Sequence, residues 1–191
     1  IGSDQSVFVI AEAGINHNGS LSIAKKLISM AKKAGADCIK FQTHITEEEM
    51  IKTGILPGKI SKKPLWDIIK NCELTANEEL KLSKYCKERK ILFLSTPFSI
   101  SAVDRLEQIK IPAYKIGSGE LTNIPFLKHI AKKRKPVILS TGMSNMTEIK
   151  YAINLFKKSK NPLAILQTTS EYPTKYKDVN LGVIEIYKKL F

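Results

Sequence analysis

An α/β protein built on parallel strands is the fold that this sequence predicts, and three observations carry it. Short apolar runs alternate with longer amphipathic segments along the 191 residues, the rhythm of βα units around a parallel sheet. Each strand-like run stays apolar until its last positions and then delivers polar groups. No GxGxxG opens a helix after the first strand, which weakens a dinucleotide-binding open sheet. A closed (β/α)8 TIM-type barrel gathers its chemistry at the carboxyl ends of its strands and is the expected architecture. An open doubly wound sheet, with ligand at one switch point, is the rival.

Taken in order, Val7 to Ala11 reads as the first strand. Ser20 caps a helix running to about Lys33, in which Ile23, Leu27, Met30 and Ala31 recur at helical spacing, and Gly35 ends it. Asp37 to Gln42 is the second strand. The piece from Thr43 to Thr75, with Pro57, Gly58 and Pro64, reads as an irregular insertion, too long for an ordinary βα loop and so either functional or a mobile lid. A helix is expected from about Ala76 to Arg89. Further strands are expected at Ile91 to Leu94, Pro112 to Ile116, Pro136 to Leu139 and Leu163 to Leu166. Helices fall near Ser99 to Gln108, Ile124 to Lys133, Thr147 to Lys157 and Leu181 to Leu190. That makes six βα units, with the last two of a barrel expected beyond Phe191.

A hydrophobic content of 43% supports a sizeable core, no apolar run reaches membrane-spanning length, and the first residues lack signal-peptide order. The reading is a cytoplasmic protein. Cys38, Cys72 and Cys86 lack the close spacing of zinc or redox motifs and read as structural thiols. The formal net charge of +13 invites a nucleic-acid reading. Against it, the lysines are scattered over the helices, the arginines are only Arg89, Arg105 and Arg134, and no run interleaves aromatics with cations. Neither nucleic acid nor membrane is an expected partner, whereas an anionic substrate suits part of the charge.

The strand ends show where such a substrate would go. Glu12 follows strand one, Lys40 and Gln42 share one side of strand two, and Ser95 and Thr96 follow strand three. Strand four delivers Lys115, Ser118 and Glu120 around Gly117 and Gly119, a phosphate-sized nest with a cation and a carboxylate at its rim. Strand five gives Ser140 and Thr141, and strand six gives Gln167, Thr168, Thr169 and Ser170. Of the histidines, His17 lies in the first βα loop, His44 follows strand two, and His129 falls on a solvated helix face. None has metal-ligand spacing.

The segments FVIAEAGINHNGS, GADCIKFQTH, FLSTPF, YKIGSGEL, STGMS and LQTTSEYPTKYKDVNL, in this order, resemble the sialic acid synthase family: N-acetylneuraminate synthases and their legionaminate and pseudaminate relatives. The resemblance runs from about Val7 to the end. It implies a (β/α)8 barrel that condenses phosphoenolpyruvate with an N-acetylated amino-sugar aldehyde, usually N-acetylmannosamine, to give a nine-carbon α-keto acid and phosphate. Carried onto this sequence, it places Lys40, Lys115, Ser118, Ser140 and Ser170 around the phosphate and carboxylate, with Thr96 alongside. Glu12, Gln42, Glu120 and Tyr172 would face the sugar and the reacting carbons, with Glu12 and Glu120 both candidates for handling protons. The resemblance further implies a divalent metal, manganese or magnesium, held by histidines of strands seven and eight beyond this chain. It also implies a homodimer in which a C-terminal antifreeze-like domain, again beyond this chain, reaches the partner's site. Residues 1–191 therefore read as the N-terminal part of the barrel, inactive alone. The alternative is a non-catalytic module that binds phosphoenolpyruvate without the metal.

Overall fold

The computed structural model describes residues 2, 5–57 and 61–191. The chain divides into two compact units, the first ending at Pro112 and the second running from Ala113 to Phe191. In the first, β1 (Ile10–Gly14), β2 (Cys38–Thr43) and β3 (Leu92–Pro97) form a parallel sheet in that order. Helices α1 (Leu21–Lys33), α4 (Ala76–Glu88) and α5 (Ile100–Gln108) accompany it, with α2 (Thr46–Glu49) and α3 (Leu65–Cys72) between β2 and α4. In the second, β4 (Tyr114–Ile116), β5 (Val137–Ser140) and β6 (Leu163–Leu166) form another parallel sheet, with α6 (Ile124–Lys132), α7 (Met146–Lys158) and α8 (Val183–Leu190).

Several expectations need correction in the first unit, the first strand and the α1 stripe among them. The first strand lies later than Val7 to Ala11, because Val7 and Val9 are exposed and only from Ile10 does the chain pair with β2. On α1 the buried stripe is Ala24, Ile28 and Ala31, while Ile23 and Met30 face out. Two alanines on the buried stripe let the helix sit close to the strands, which bulkier side chains would prevent.

The insertion is not uniformly irregular. Its helix α3 is eight residues long, with Pro64 at its N-cap, too short to show a period in sequence. It is pinned in place: Glu73 accepts from both the amide and the hydroxyl of Thr46, and Lys70 pairs with Glu47 at 2.7 Å and Glu73 at 2.8 Å. Residues 50–57 carry no regular structure, and Gly58 lies outside the described residues.

Helices α1, α4, α5 and α7 stop in the same way. Each ends on a left-handed residue, Gly35, Lys90, Lys110 or Lys160. The next amide then reaches back five residues: Ala36 to Ala31, Ile91 to Cys86, Ile111 to Leu106 and Asn161 to Phe156, all at 3.0–3.1 Å. This is the Schellman closure, which satisfies orphan carbonyls and turns the chain into the next strand. In the second unit Tyr114, Ile116, Val137 and Leu139 of the sheet and Leu127, Ile130, Ile153 and Phe156 of the helices are fully or nearly fully buried. Strand β6 is only half-buried, and Ile184, Ile186 and Leu190 of α8 are exposed.

Gly19 holds the turn between β1 and α1 against α3. Its φ is +76°, and a Cβ there would come within 2.4 Å of the Asn71 carbonyl oxygen, a backbone atom that cannot swing away. Gly19→Ala is therefore expected to cost about 2–3 kcal/mol, read as a lowered guanidinium midpoint.

Candidate functional site

Residues paired across a parallel sheet share a face. In the first unit Glu12 lies opposite Lys40, and Gln42 opposite Thr96, so all four project to one side. Lys40 forms an ion pair with Glu12 and donates to Thr96 Oγ1 at 3.3 Å. The partners differ in setting: the Lys40 side chain is 8% exposed and that of Glu12 53%. Glu12 is thus not a carboxylate stranded among apolar groups; it is half in water and gives Lys40 its counter-charge. Its other oxygen accepts from the Gly14 amide at 3.1 Å, where β1 bulges between Glu12 and Gly14.

The opposite side of the same strands faces the helix layer. Phe41 stacks on Phe93 there, with ring centroids 5.8 Å apart. Ser95, expected at the rim beside Thr96, belongs to this layer because adjacent strand residues point opposite ways. Thr43 Oγ1 lies 2.7 Å from Ser95 Oγ and donates to Glu79 Oε1 at 2.7 Å. Glu79 is buried, and burial pushes its carboxyl up to about 7 against the opposing pull of Thr43 and of Arg105, whose guanidinium is 3.7 Å away.

None of the histidines reads as a metal ligand. His17 is fully buried with Nδ1 accepting from the Gly19 amide at 3.1 Å, and burial, then the charge of His44, lowers its pKa. Both ring nitrogens of His44 are engaged by Glu49 and Gln42. His129 is half-buried on α6 rather than on a solvated face. Among the described residues no group of three His, Cys, Asp or Glu side chains comes together as metal ligands would. The three cysteines are buried free thiols, and burial pushes Cys38 and Cys86 up to about 12, which leaves them unreactive.

In the second unit Lys115 and Ser140 share a face of β4 and β5. Lys115 Nζ donates to Ser140 Oγ at 2.6 Å and to the Ile116 carbonyl at 2.9 Å, and both side chains are buried. The expected nest at Gly117–Gly119 is instead a 3-10 turn over Ser118–Glu120, and a Cβ on Gly119 would meet only the Met143 methyl at 4.0 Å. The crowded glycine is Gly142, in the loop after β5. A Cβ there would lie 2.5 Å from Ser170 Oγ and 2.8 Å from Ser118 Oγ. Its amide donates to Thr168 Oγ1 at 2.7 Å and to Ser118 Oγ at 3.0 Å, and the Thr141 amide reaches Thr168 Oγ1 at 3.1 Å. Two backbone amides and a serine hydroxyl therefore converge on one oxygen, the arrangement that binds an oxyanion.

Thr168 was one polar strand end among several in the sequence, and only its closeness to Gly142 sets it apart. Tyr187 adds a support invisible at sequence level: its hydroxyl donates to Thr141 Oγ1 at 2.9 Å, which in turn donates to the Leu166 carbonyl at 2.9 Å. Thr141, Gly142, Thr168, Ser170 and Tyr187 line a cavity of about 360 Å³, within the range of small-ligand sites. Glu120 is half-buried at the turn, its Oε2 accepting from Asn123 Nδ2 at 2.8 Å. Tyr172 stands clear, 90% exposed. A larger cleft of about 590 Å³ lies over the insertion, lined among the described residues by Glu47, Glu48, Glu49 and Trp66 with Lys52 as the cation, a net charge that disfavours an anionic ligand.

Buried lysines thus stand beside hydroxyls at the carboxyl ends of parallel strands in both units of this α/β chain. The chain belongs to the NeuB family, whose pattern matches residues 27–191. It is 38% identical to the N,N'-diacetyllegionaminic acid synthase of Campylobacter jejuni over 98% of this chain and 58% of that protein. To the human N-acetylneuraminate-9-phosphate synthase it is 36% identical, over 100% of this chain and 54% of the relative. The chain spans about half the length of these curated relatives. Among solved structures, the N-acetylneuraminic acid synthetase of Leptospira borgpetersenii, in complex with citrate, superposes with a TM-score of 0.91 at 35% identity, covering 100% of this chain and 64% of that one.

The buried Glu79 gives a pH signature. Its folded pKa of about 7 lies above the ordinary 4.5, so the native state holds this proton more tightly than the unfolded chain. Stability from this group is therefore undiminished below about pH 4.5 and is lost as pH rises through about 7, by roughly 3 kcal/mol in all. Glu79→Gln should raise stability at pH 8 relative to pH 5, measured by chemical denaturation at both.

Proposed function

We propose that this chain carries phosphoenolpyruvate-binding and sugar-facing groups of a sialic-type synthase. The enzyme joins C3 of phosphoenolpyruvate to the aldehyde carbon of an N-acetylated amino sugar such as N-acetylmannosamine. The cation left at C2 takes up water, and phosphate departs to leave a nine-carbon α-keto acid. The observation that carries the reading is the hydroxyl of Thr168 held by two amides and Ser118, beside the Lys115–Ser140 pair. A trianionic ligand needs donors and cations fixed before it arrives, and those groups are fixed by the strands and by Tyr187.

In the second unit the proposal gives Lys115, Ser118, Ser140 and Ser170 to the phosphate and carboxylate, and Glu120 and Tyr172 to the sugar. In the first it gives Lys40 and Thr96 to the anion, and Glu12 and Gln42 to the sugar and reacting carbons. Lys40 rests on Glu12, so an arriving anion competes for a cation whose charge is already balanced. The fold it implies is a closed (β/α)8 barrel, with manganese or magnesium held by ligands outside the described residues and two subunits in the assembly. The relatives named above make different nine-carbon acids, and the amino sugar is the open variable.

Phosphate release from phosphoenolpyruvate and N-acetylmannosamine by the whole protein, with added manganese, is the direct test. Binding of phosphoenolpyruvate without turnover under any N-acetylated aldose would leave a non-catalytic module. Lys115→Ala is expected to weaken phosphoenolpyruvate by about 2–4 kcal/mol, since a buried charge loses its partner, and unchanged KM and kcat would remove Lys115 from the site. Glu120→Gln should lower kcat far more than it raises the KM for phosphoenolpyruvate. An equal loss of that affinity would move Glu120 into the phosphate shell.

A further inference from the structure

His44 has no part in the reaction as assigned above, yet it is one of the most constrained side chains in the first unit. It follows β2 directly and is buried, 5% exposed. Both oxygens of Glu49 lie within 2.8–2.9 Å of Nδ1, and Gln42 Oε1 lies 2.9 Å from Nε2. The ring stacks on Phe98 with centroids 4.5 Å apart and planes 13° from parallel.

The chemistry of its partners fixes what His44 does. A carboxylate only accepts, and so does an amide oxygen, so the ring nitrogens stand as the donating side of both contacts. Glu49 is itself buried, its side chain 5% exposed. A buried carboxyl group is costly without a hydrogen-bond partner, and the ring supplies one. The consequence falls on Gln42. A glutamine amide can turn over and exchange its oxygen and nitrogen ends at little cost. Here the oxygen is held by Nε2, which leaves the NH2 outward, on the Gly14 side: Gln42 Nε2 and Glu12 Oε1 lie 3.8 Å and 3.6 Å from where a Gly14 Cβ would stand.

We propose that His44, clamped by Glu49 and stacked on Phe98, is a positioning residue that holds the Gln42 amide with its NH2 toward the amino sugar, so that Gln42 reads a hydrogen-bond acceptor there, a carbonyl or hydroxyl oxygen. The inference rests on the assignment of Gln42 to the sugar. It makes the first unit selective, because a donor locked in place rejects an analogue lacking the matching oxygen, whereas a freely turning amide accommodates either polarity.

The test is a double-mutant cycle in the whole protein. His44→Phe keeps the stacked ring and removes both nitrogens. It should raise the KM for the amino sugar about tenfold or more while leaving that for phosphoenolpyruvate within about twofold. Gln42→Leu should have a similar effect, and the double variant should be no worse than Gln42→Leu alone. Additive losses, or an equal rise in both KM values, would overturn the proposal. A second readout needs no activity: nitrogen-15 NMR of the His44 ring should show a proton on both nitrogens in the wild type and a weakened Nδ1 bond in Glu49→Gln. A bare Nε2 in the wild type would overturn the clamp. A wild type that never condenses phosphoenolpyruvate with an amino sugar would sink the functional reading, and the NMR result would still decide the clamp.

Discussion

Alternation along a parallel strand is the constraint on which the rest of this structure depends. A strand with a helix layer on one side must send every second residue into that layer, and whatever falls between has only the other face. On β2 this gives Phe41 and Thr43 to the helices and Lys40 and Gln42 to the opposite side. On β4 and β5 it separates Tyr114, Ile116, Val137 and Leu139 from Lys115 and Ser140. Both lysines are then held in poor contact with water, and the two units solve that problem differently. Lys40 takes a carboxylate; Lys115 takes a hydroxyl and a backbone carbonyl. The first arrangement balances charge, while the second gives the ammonium oxygen acceptors for its donors.

Behind both faces lies a supporting layer of polar groups. Thr43, Ser95 and Glu79 form one such cluster, and Thr141 with Tyr187 forms another. Polar groups in these positions cost stability unless each finds a partner. Their use is rigidity: the hydroxyls and amides at the strand ends are themselves held from behind.

Much of this was readable from sequence. The alternation of apolar runs and amphipathic segments located β2 to β6 to within a few residues, and the polar strand ends singled out Lys40, Gln42, Thr96, Lys115, Ser118 and Ser140. What escaped was whatever depends on parity near a strand end or on contact between distant segments. Ser95 and Thr96 look alike in sequence, and only pairing with β2 shows that they face opposite ways. Glycines attracted notice at Gly117 and Gly119, where they sit together, although the backbone crowds its neighbours at Gly142, a lone glycine whose partners are Ser118 and Ser170. The α1 stripe was misplaced by one residue because large apolar side chains outweigh alanines in any reading of periodicity, while close packing prefers the alanines.

The repeated helix stop has a further consequence. From each helix to the strand that follows it the connection is short, for example residues 34–37, 89–91 and 159–162, whereas from strand to helix it varies from 98–99 to the long passage 167–182. The frame of each strand is thus set at its amino end, by where the preceding left-handed residue releases the chain. Adding one residue to such a junction would rotate the strand's alphabet by a letter, sending Lys40 where Phe41 stands and Ile39 where Lys40 stands. Lengthening a loop at the other end leaves that frame untouched. The architecture therefore separates two kinds of change: the end that keeps the reading frame tolerates almost no insertion, and the end where the polar side chains gather can grow, lose or exchange whole segments without disturbing which side chains it presents.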